Sequence, residues 1–246
     1  MGQPAFDCPF SHSGDLGDII FSLPALRARA REAGGPVTLV LFGSGKTTCW
    51  MTRQRMKLIA PLLERQRYIR AAKYSDTPRE TPLNDFRGHC FKRNLADAHL
   101  AALGLPFGER ETKWIEVEKK ASAEVVICRT ERYQTANFPW RKICEKYKGK
   151  MLFLGLREEH ESFARNFDVV VPYQMTADLL EAAEIIAGSR LMIGNQTSLT
   201  AIAEGLKHNL ILEACASLDT NTFTRIGKIH ALDTAHFELP LLGPED

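Results

Sequence analysis

The chain has 246 residues, of which 44% are hydrophobic and 25% charged, and its formal net charge is +2. These values are typical of a globular protein with one large or two small domains and enough apolar material for packed cores. They exclude a disordered chain and give no overall sign of a polyanion-binding protein.

Strand-like and helix-like segments alternate along the chain, which predicts an α/β fold with mainly parallel sheets. In the first half we expect a strand at residues 37–42 and helices at 22–35, 52–66 and 94–105. A polar stretch, 113–122, then leads into a second series. Its expected strands are 123–128, 150–155, 168–172, 190–195 and 209–214, and its expected helices are 138–149, 159–167, 176–189 and 198–207. We therefore predict two domains, residues 1–120 and 121–246, with a ligand-binding cleft between them.

Residues 43–48 read GSGKTT and resemble the end of a phosphate-binding P-loop. The complete motif needs a glycine five residues before Gly45, and Val40 stands there inside the expected strand. The loop is therefore too short to curl around phosphates, and we interpret GSGKTT as an ordinary turn.

The stretch HSGDLGDIIFSLPALRA, residues 12–28, places glycines and acids on a loop that opens into an apolar helix. A glycine-rich turn lets a substrate approach the backbone closely, and a helix N-terminus favours an anion. Asp15 and Asp18 are each either a helix N-cap or a general base aimed into a cleft.

Two loops of the second half also carry candidate ligand-binding groups. Residues 194–198, GNQTS, join a strand to a helix, where small polar residues serve either as a cap or as a phosphate site. Arg129 and Arg132 follow the first strand of this half, at the edge where such sheets bind ligands. They are either solvated side chains or phosphate ligands.

Taken together, these stretches resemble glycosyltransferase family 9, which includes the bacterial ADP-heptose:lipopolysaccharide heptosyltransferases. Residues 17–26, GDIIFSLPAL, fit that family's GD-hh-x-x-LPAL loop, in which h is hydrophobic. Residues 176–206, TADLLEAAEIIAGSRLMIGNQTSLTAIAEGL, resemble its long helix and the hhIGN-D-[ST]-G turn that follows. HLAALGLPF at 99–107 and NFPW at 137–140 resemble its LLxxLGLP and K-x-WP elements, so the resemblance covers nearly the whole chain in order.

The resemblance implies a GT-B fold, in which two Rossmann-like doubly wound domains face each other across a cleft. The acceptor would lie on the N-terminal domain, against His12, Ser13, Gly14 and Gly17. A nucleoside-diphosphate sugar would lie on the C-terminal domain. Its expected contacts are Arg129, Arg132, Asn137, Gly194, Asn195, Gln196, Thr197, Ser198 and Glu213, of which Glu213 is either a ribose ligand or a solvent-exposed strand end.

The resemblance further implies an inverting, metal-independent glycosyltransferase with no cofactor beyond the nucleotide-sugar. Asp18 occupies the position of the family's candidate base, with Asp15 as its neighbour. No Asp-x-Asp metal signature is present, and the histidines show no metal-ligand spacing, so no metal site is expected. Chains of this fold often return a C-terminal segment to the first domain, and we expect residues 228–240 to do so, starting with a helix.

Departures from the family pattern leave the donor open. Gln196 replaces the family's aspartate, Ala136 stands where its lysine would be, and the chain is shorter than typical members. They also leave open a non-catalytic nucleotide-sugar-binding protein. A further alternative is a phage-type glycosyltransferase acting on modified DNA bases, since such enzymes also use GT-B folds.

Residues 46–73 carry eight basic side chains and one acid, Glu64. This stretch is either a solvated face or a surface for an anionic acceptor, such as a lipid-linked saccharide or nucleic acid. The six scattered cysteines lack a C-x-x-C pair, which indicates reduced thiols. With no signal peptide and no apolar run near ~18 residues, we expect a cytoplasmic protein that is at most peripheral to a membrane.

Overall fold

The computed structural model describes residues 9–43, 51–77, 83–91, 93–215, 225–231, 239–240 and 242. Within these ranges the first half forms a three-stranded parallel sheet of order β1-β2-β3. Its elements are β1 (Phe10–His12), α1 (Leu16–Glu32), β2 (Val37–Phe42), α2 (Arg53–Glu64), β3 (Ile69–Ser75) and α3 (Leu95–Ala102). A 3₁₀ helix, Leu83–His89, connects β3 to α3, and another, Phe107–Arg110, follows α3.

The second half forms a six-stranded sheet in which every strand pair is parallel. Its strands are β4 (Val125–Cys128), β5 (Met151–Leu154), β6 (Tyr173–Gln174), β7 (Leu191–Asn195), β8 (Leu210–Glu213) and β9 (Lys228–Ala231). The helices between them are α4 (Trp140–Lys146), α5 (Arg157–Phe167), α6 (Leu179–Gly188) and α7 (Ser198–Gly205). Parallel strands need such crossover helices, which explains the alternation seen in the sequence.

The strand order of this sheet, β6-β5-β4-β7-β8-β9, is the order of a doubly wound nucleotide-binding fold. The winding reverses direction between β4 and β7. The loops that leave the carboxyl ends of these two strands therefore diverge and open a crevice, which is where such sheets bind ligands. Those loops are residues 129–135 and 196–197.

The two sheets pack against each other through their helices. Helix α1 packs on α7, and α2 packs on α6. One apolar cluster is continuous across this contact, with Leu23 and Ile59 from the first half and Ile186 and Ile202 from the second all fully buried. Burial of this kind contributes roughly 1.5–3 kcal/mol per large apolar side chain, so the helix contact stabilises the packing of the two halves.

Helix α1 begins at Leu16, earlier than the expected start at residue 22, and contains Pro24. The buried triplet Ile19, Ile20 and Phe21 accounts for the earlier start because it extends the apolar face of the helix. Strand β1 was not expected because three residues are too few for a periodic signal.

The prediction of a strand at residues 168–172 is wrong. Asp168 adopts a left-handed conformation (φ 53°) that ends α5, and Val170 is 99% exposed. Only Pro172 contributes to the sheet there, accepting a hydrogen bond from the Phe153 N–H (2.8 Å). The strand itself, β6, comes one residue later.

The C-terminal expectation is also wrong for the described residues. Residues 228–231 form strand β9 beside β8 where a helix was expected. The backbone oxygens of Leu239 and Pro240 accept hydrogen bonds from Lys146 (2.6 Å) and Tyr147 (2.8 Å), so this segment lies on the second half. The GSGKTT turn lies outside the described residues, except for Gly43. No described helix is both long and apolar enough to cross a membrane.

Candidate functional site

A cavity of about 300 Å³ opens at the switch point of the six-stranded sheet, between this sheet and the loop that follows β1. Seven residues proposed from the sequence line it: Asp15, Gly17, Asp18, Arg132, Gln196, Thr197 and Ser198. Six further residues, none identified from the sequence, complete the lining that the structure describes: Phe21, Phe86, Arg87, Cys90, Leu95 and Tyr133. Groups from the two halves of the chain therefore face a common space.

Asp18 has the most perturbed carboxyl group of this cavity. It lies in the first turn of α1, where its Oδ2 accepts a hydrogen bond from the backbone N–H of the N-cap residue, Asp15 (3.1 Å). The Arg87 Nη2 lies 3.4 Å from the same oxygen, and the Asp18 side chain is 20% exposed. Burial raises the pKa of Asp18 to about 6, although Arg87 and the Asp15 N–H act in the opposite direction. A carboxylate with this pKa is ionised at neutral pH and basic enough to accept a proton.

Asp15 is the N-cap residue of α1, and its carboxylate is engaged by two arginines. The Arg55 Nη1 lies 2.8 Å from Oδ1, and the Arg132 Nη1 lies 3.8 Å from Oδ2. Arg55 belongs to the first half and Arg132 to the second. Asp15 therefore acts in this structure as an anion that links the two walls of the cavity.

His12 lies beneath the loop and does not line the cavity. It is fully buried, and its Nε2 lies 3.0 Å from the Nε2 of His99, which is also fully buried. The His99 Nδ1 lies 2.6 Å from the Leu95 oxygen, and the Gly14 N–H donates to the His12 Nδ1 (2.9 Å). These partners fix one arrangement, in which the His12 Nε2–H donates to the unprotonated His99 Nε2. Burial lowers the pKa of His12 well below its usual value and that of His99 to about 3, so both rings are neutral.

Gly14 is required where the loop turns over this histidine pair. A Cβ at Gly14 would lie 2.6 Å from both the Asp18 Oδ2 and the His12 Cε1, closer than side chains pack. Ser13 is also buried, and its N–H donates to the Asn84 Oδ1 (3.0 Å). Of the four residues expected to contact an acceptor, only Gly17 lines the cavity.

Asn195 holds the β4 loop in place. This fully buried side chain accepts from the Thr130 N–H (3.0 Å) and donates to the backbone oxygens of Thr130 (3.0 Å) and Arg132 (2.6 Å). Both its amide donors and its oxygen bind the loop, so Asn195 has a positioning role and sets where Arg132 projects.

Glu213 is fully buried and its carboxylate is saturated. Arg129 donates to both of its oxygens (3.0 Å each), the Thr135 N–H donates to Oε1 (2.8 Å) and the Trp140 Nε1–H donates to Oε2 (3.0 Å). A carboxylate with four donors has no lone pair left for a ribose hydroxyl. The same contact turns Arg129 away from the cavity. Glu213 is the register partner of Asn195 on the adjacent strand, so the two side chains together brace residues 129–135.

The turn after β7 contributes a capped helix N-terminus. The Thr197 Oγ1 accepts a hydrogen bond from the Thr200 N–H (3.3 Å). Thr197 is therefore a helix N-cap, one of the two roles that the sequence left open for residues 194–198. Gln196 and Ser198 line the cavity beside it. Gly194 is needed for packing, since a Cβ there would lie 2.6 Å from the Cys128 Sγ. Asn137 is exposed and lies outside the cavity lining.

The basic stretch of the first half is partly neutralised. Arg53, Arg55 and Arg65 pair with Asp76, Asp15 and Glu118 at 2.6–2.8 Å. Acids from outside the stretch therefore reduce the positive surface that the sequence indicated, and Lys46 lies outside the described residues.

No protein-family model matches the chain, and no curated protein matches it in sequence. Solved structures do match. The bacterial glycosyltransferase TibC from enterotoxigenic E. coli aligns with 90% of this chain and 61% of its own at 14% identity, with a TM-score of 0.56. E. coli heptosyltransferase WaaC, solved with ADP-2-deoxy-2-fluoro heptose, aligns with 90% and 92% at 11% identity and a TM-score of 0.53. A family 9 glycosyltransferase from Veillonella parvula aligns with 93% and 87% at 10% identity and a TM-score of 0.51.

These likenesses establish the fold. The chain has the α/β architecture with parallel sheets of family 9 and heptosyltransferase structures, and the resemblance expected from the sequence is confirmed at that level. The chain spans less than two thirds of the length of TibC.

The resemblance led us to expect a protein that needs no metal. This expectation is wrong, because TibC, one of the similar structures, is described as iron-containing. In the part of the chain that the structure describes, no three His, Cys, Asp or Glu side chains are grouped so that they could hold a metal ion.

Proposed function

We propose that this chain is a GT-B glycosyltransferase that transfers a sugar from a nucleoside-diphosphate sugar to an acceptor hydroxyl with inversion. Residues 1–120 would form the acceptor-side domain and residues 121–246 the donor-side domain. One observation carries the proposal: the cavity at the switch point brings the raised-pKa carboxyl of Asp18 opposite the N-terminus of α7 and Arg132.

Asp18 is proposed as the general base. The acceptor hydroxyl would enter against Asp18 and lose its proton to a carboxylate oxygen as its own oxygen attacks the anomeric carbon. The new C–O bond forms as the bond to the diphosphate breaks, which inverts the anomeric centre. The pKa of about 6 suits this role, because the group is mostly ionised at pH 7 and still basic.

The N-terminus of α7 and the arginines of the cavity would stabilise the leaving diphosphate. Thr197 satisfies the Thr200 N–H, whereas the N–H groups of Ser198 and Leu199 belong to the first turn of α7, where N–H groups have no partner within the helix. The helix dipole adds a partial positive charge there. Arg132 can exchange its long contact with Asp15 (3.8 Å) for a phosphate oxygen.

Asn195, Arg129 and Glu213 are proposed as positioning residues that act through the β4 loop. Asn195 binds the loop backbone at residues 130 and 132, and Glu213 binds it at residue 135. The loop is thereby held at two points. The backbone that carries Arg132 is in place before the substrate binds, so it does not have to be ordered during the reaction.

An ADP-sugar is the first donor to test. WaaC is solved with an ADP-heptose analogue and TibC with ADP-D-β-D-heptose. Gln196 lies in the cavity wall in place of the carboxylate of the family motif, so a different sugar is compatible with the same nucleotide site. Among the described lining residues of the cavity, no contact favours the DNA-modifying alternative.

The test is a calorimetric titration with ADP, UDP, GDP, dTDP, CMP and ATP, followed by turnover of the matching nucleotide-sugar over a panel of acceptors. We expect one nucleoside diphosphate to bind tightly, and Asp18→Asn to keep that affinity while losing ~10²–10⁴ in kcat. The wild-type kcat/KM should rise with pH through an apparent pKa near 6. Asp168→Asn is the matched control, because Asp168 is exposed in a left-handed turn that asparagine tolerates.

Unchanged turnover in Asp18→Asn would contradict the proposed base. Tight donor binding with no turnover over the whole panel would favour a non-catalytic nucleotide-sugar-binding protein. Binding to duplex DNA with a steep salt dependence would favour the DNA-modifying alternative.

A further inference from the structure

A second and larger concavity lies at the opposite edge of the six-stranded sheet. This groove has a volume of about 590 Å³ and is bounded by residues 113–119, which connect the two halves of the chain, and by the turns that precede β7 and β8. Those turns are residues 187–190 and 206–209. The groove is therefore at the amino ends of the strands, whereas the candidate active site is at their carboxyl ends.

We propose that this groove, the linker groove, is a binding site for a small molecule that carries two or more phosphate groups. Its volume is within the range of ligand pockets, ~300–1,000 Å³. The proposal goes beyond the proposed transferase function and does not depend on it.

The charge of the lining carries the inference. Lys113, Lys119, Arg190 and Lys207 line the groove, and no carboxylate is present among the described lining residues. Behind the lining, Arg190 contacts Glu124 (3.7 Å) and Lys207 contacts Glu204 (2.8 Å), so Lys113 and Lys119 supply most of the positive charge that faces the groove. A concave surface lined by one sign of charge concentrates the opposite charge. Ser189 and Asn209 add hydrogen-bonding groups to the same wall.

The buried charges behind the wall do not cancel this field. Glu204 is 1% exposed, and Lys207, Arg225 and Lys228 approach its carboxylate at 2.8, 2.9 and 3.2 Å. One carboxylate balances one of three cations. Burial lowers the pKa of Lys228 to about 8, which still leaves it largely protonated at pH 7. Lys207 is itself a lining residue, so Arg225 and Lys228 are the cations behind the groove, and Glu204 balances only one charge of the three.

The wall is also held rigidly. The Lys207 Nζ lies 4.1 Å from the centre of the Trp114 ring, and the backbone N–H of Trp114 donates to the Gly205 oxygen (2.9 Å). Arg225 donates to the His208 oxygen (2.6 Å), and the His208 Nε2 lies 3.0 Å from the Ser189 Oγ. A preformed site loses less entropy on binding than one that must be ordered by its ligand.

A small polyanion fits better than a nucleic acid. The groove is confined between the connecting segment and two short turns, and the whole chain has a net charge of only +2. Extended binding to a nucleic acid backbone relies on many phosphate contacts along a broad basic surface.

The test uses the full chain with inorganic pyrophosphate as the probe, in calorimetry at low salt and in hydrogen–deuterium exchange. We expect pyrophosphate to slow exchange of residues 206–209 and 187–190. We expect the double variant Lys113→Glu, Lys119→Glu to weaken that binding by about tenfold or more, because each substitution reverses an attractive charge. Both lysines are exposed, so the fold should tolerate the change.

The matched control is Lys142→Glu, Lys148→Glu, which reverses two exposed lysines outside the linker groove. Its affinity for pyrophosphate should stay within about twofold of wild type. Protection confined to residues 196–199, or equal loss of affinity in both double variants, would overturn the proposal. Tighter binding of a duplex oligonucleotide than of pyrophosphate, abolished only by Lys113→Glu, Lys119→Glu, would also overturn it and assign the groove to nucleic acid.

Discussion

Replacing Asp18 by asparagine should stabilise the protein at alkaline pH. Burial raises the pKa of this carboxyl from 3.8 to about 6. The folded state therefore holds the proton more tightly than the unfolded state, and stability is lost as pH rises from about 4 through 6. A shift of about two units corresponds to ~3 kcal/mol of unfavourable free energy when the group is ionised above pH 6.

Asparagine has nearly the same shape and no charge to bury. Its oxygen can still accept the Asp15 N–H, which Asp18 now binds at 3.1 Å. The variant loses the contact with Arg87 at 3.4 Å, which contributes little because the Arg87 side chain is half-exposed. We therefore expect a gain of ~1–3 kcal/mol at pH 8.

Urea unfolding of wild type and Asp18→Asn at pH 4 and pH 8 measures this gain. At pH 4 it should shrink to within ~0.5 kcal/mol, because folded wild type is then protonated at Asp18. Other titrating groups are common to both proteins and cancel. The Asp168→Asn control should change stability by less than ~0.5 kcal/mol at both pH values. A variant less stable than wild type at pH 8, or one with the same gain at both pH values, would show that burial of the ionised Asp18 carboxylate does not destabilise the fold.

Three further predictions concern the parts that hold this site. Gly14→Ala should lower the free energy of unfolding by ~1–3 kcal/mol, because the new Cβ overpacks against Asp18 and His12. Gly17 has open space around it, so Gly17→Ala should be neutral or stabilise α1 by up to ~1 kcal/mol. Thermal unfolding of both variants measures the difference, and equal stability would contradict the close packing at Gly14. Glu213→Gln should lower the free energy of unfolding by ~3–5 kcal/mol, because it leaves Arg129 buried without a counter-charge. The control Glu118→Gln breaks an exposed ion pair and should lower it by less than ~1 kcal/mol. Equal losses of the two variants in urea unfolding would contradict the role of the Glu213 network. Nitrogen NMR at pH 6 should show neutral rings protonated at Nε2 in His12 and at Nδ1 in His99, and an imidazolium pattern in either ring would show that the buried pair is wrongly described.

The strand and helix pattern of the second half was largely predictable because its signals are local. Apolar runs such as 190–195 bounded by capping residues specify a strand and the start of a helix without reference to the rest of the chain. Strand β9 was not predictable, because its four residues, KIHA, form a strand only by pairing with β8. The same applies to β1, whose three residues pair with β2.

The candidate site was predictable in part. Asp18, Arg132 and residues 196–198 stand next to strand–helix junctions, and the rule that ligands bind at such junctions brings them together. Arg87 was not identifiable, because the 3₁₀ helix that carries it has no motif or periodicity. The burial of His12 and Glu213 depends on partners 87 and 84 residues away along the chain, which no local pattern contains.

In the proposed function, the cavity between the two sheets binds the diphosphate of a nucleotide-sugar beside Asp18. The most direct measurement is a crystal structure of the protein with the nucleoside diphosphate that binds most tightly in the calorimetric panel. We predict phosphate oxygens within hydrogen-bonding distance of the Ser198 N–H and the Arg132 guanidinium, with the Asp18 carboxylate facing the terminal phosphate. A nucleotide bound elsewhere on the protein, with this cavity left empty, would contradict the account.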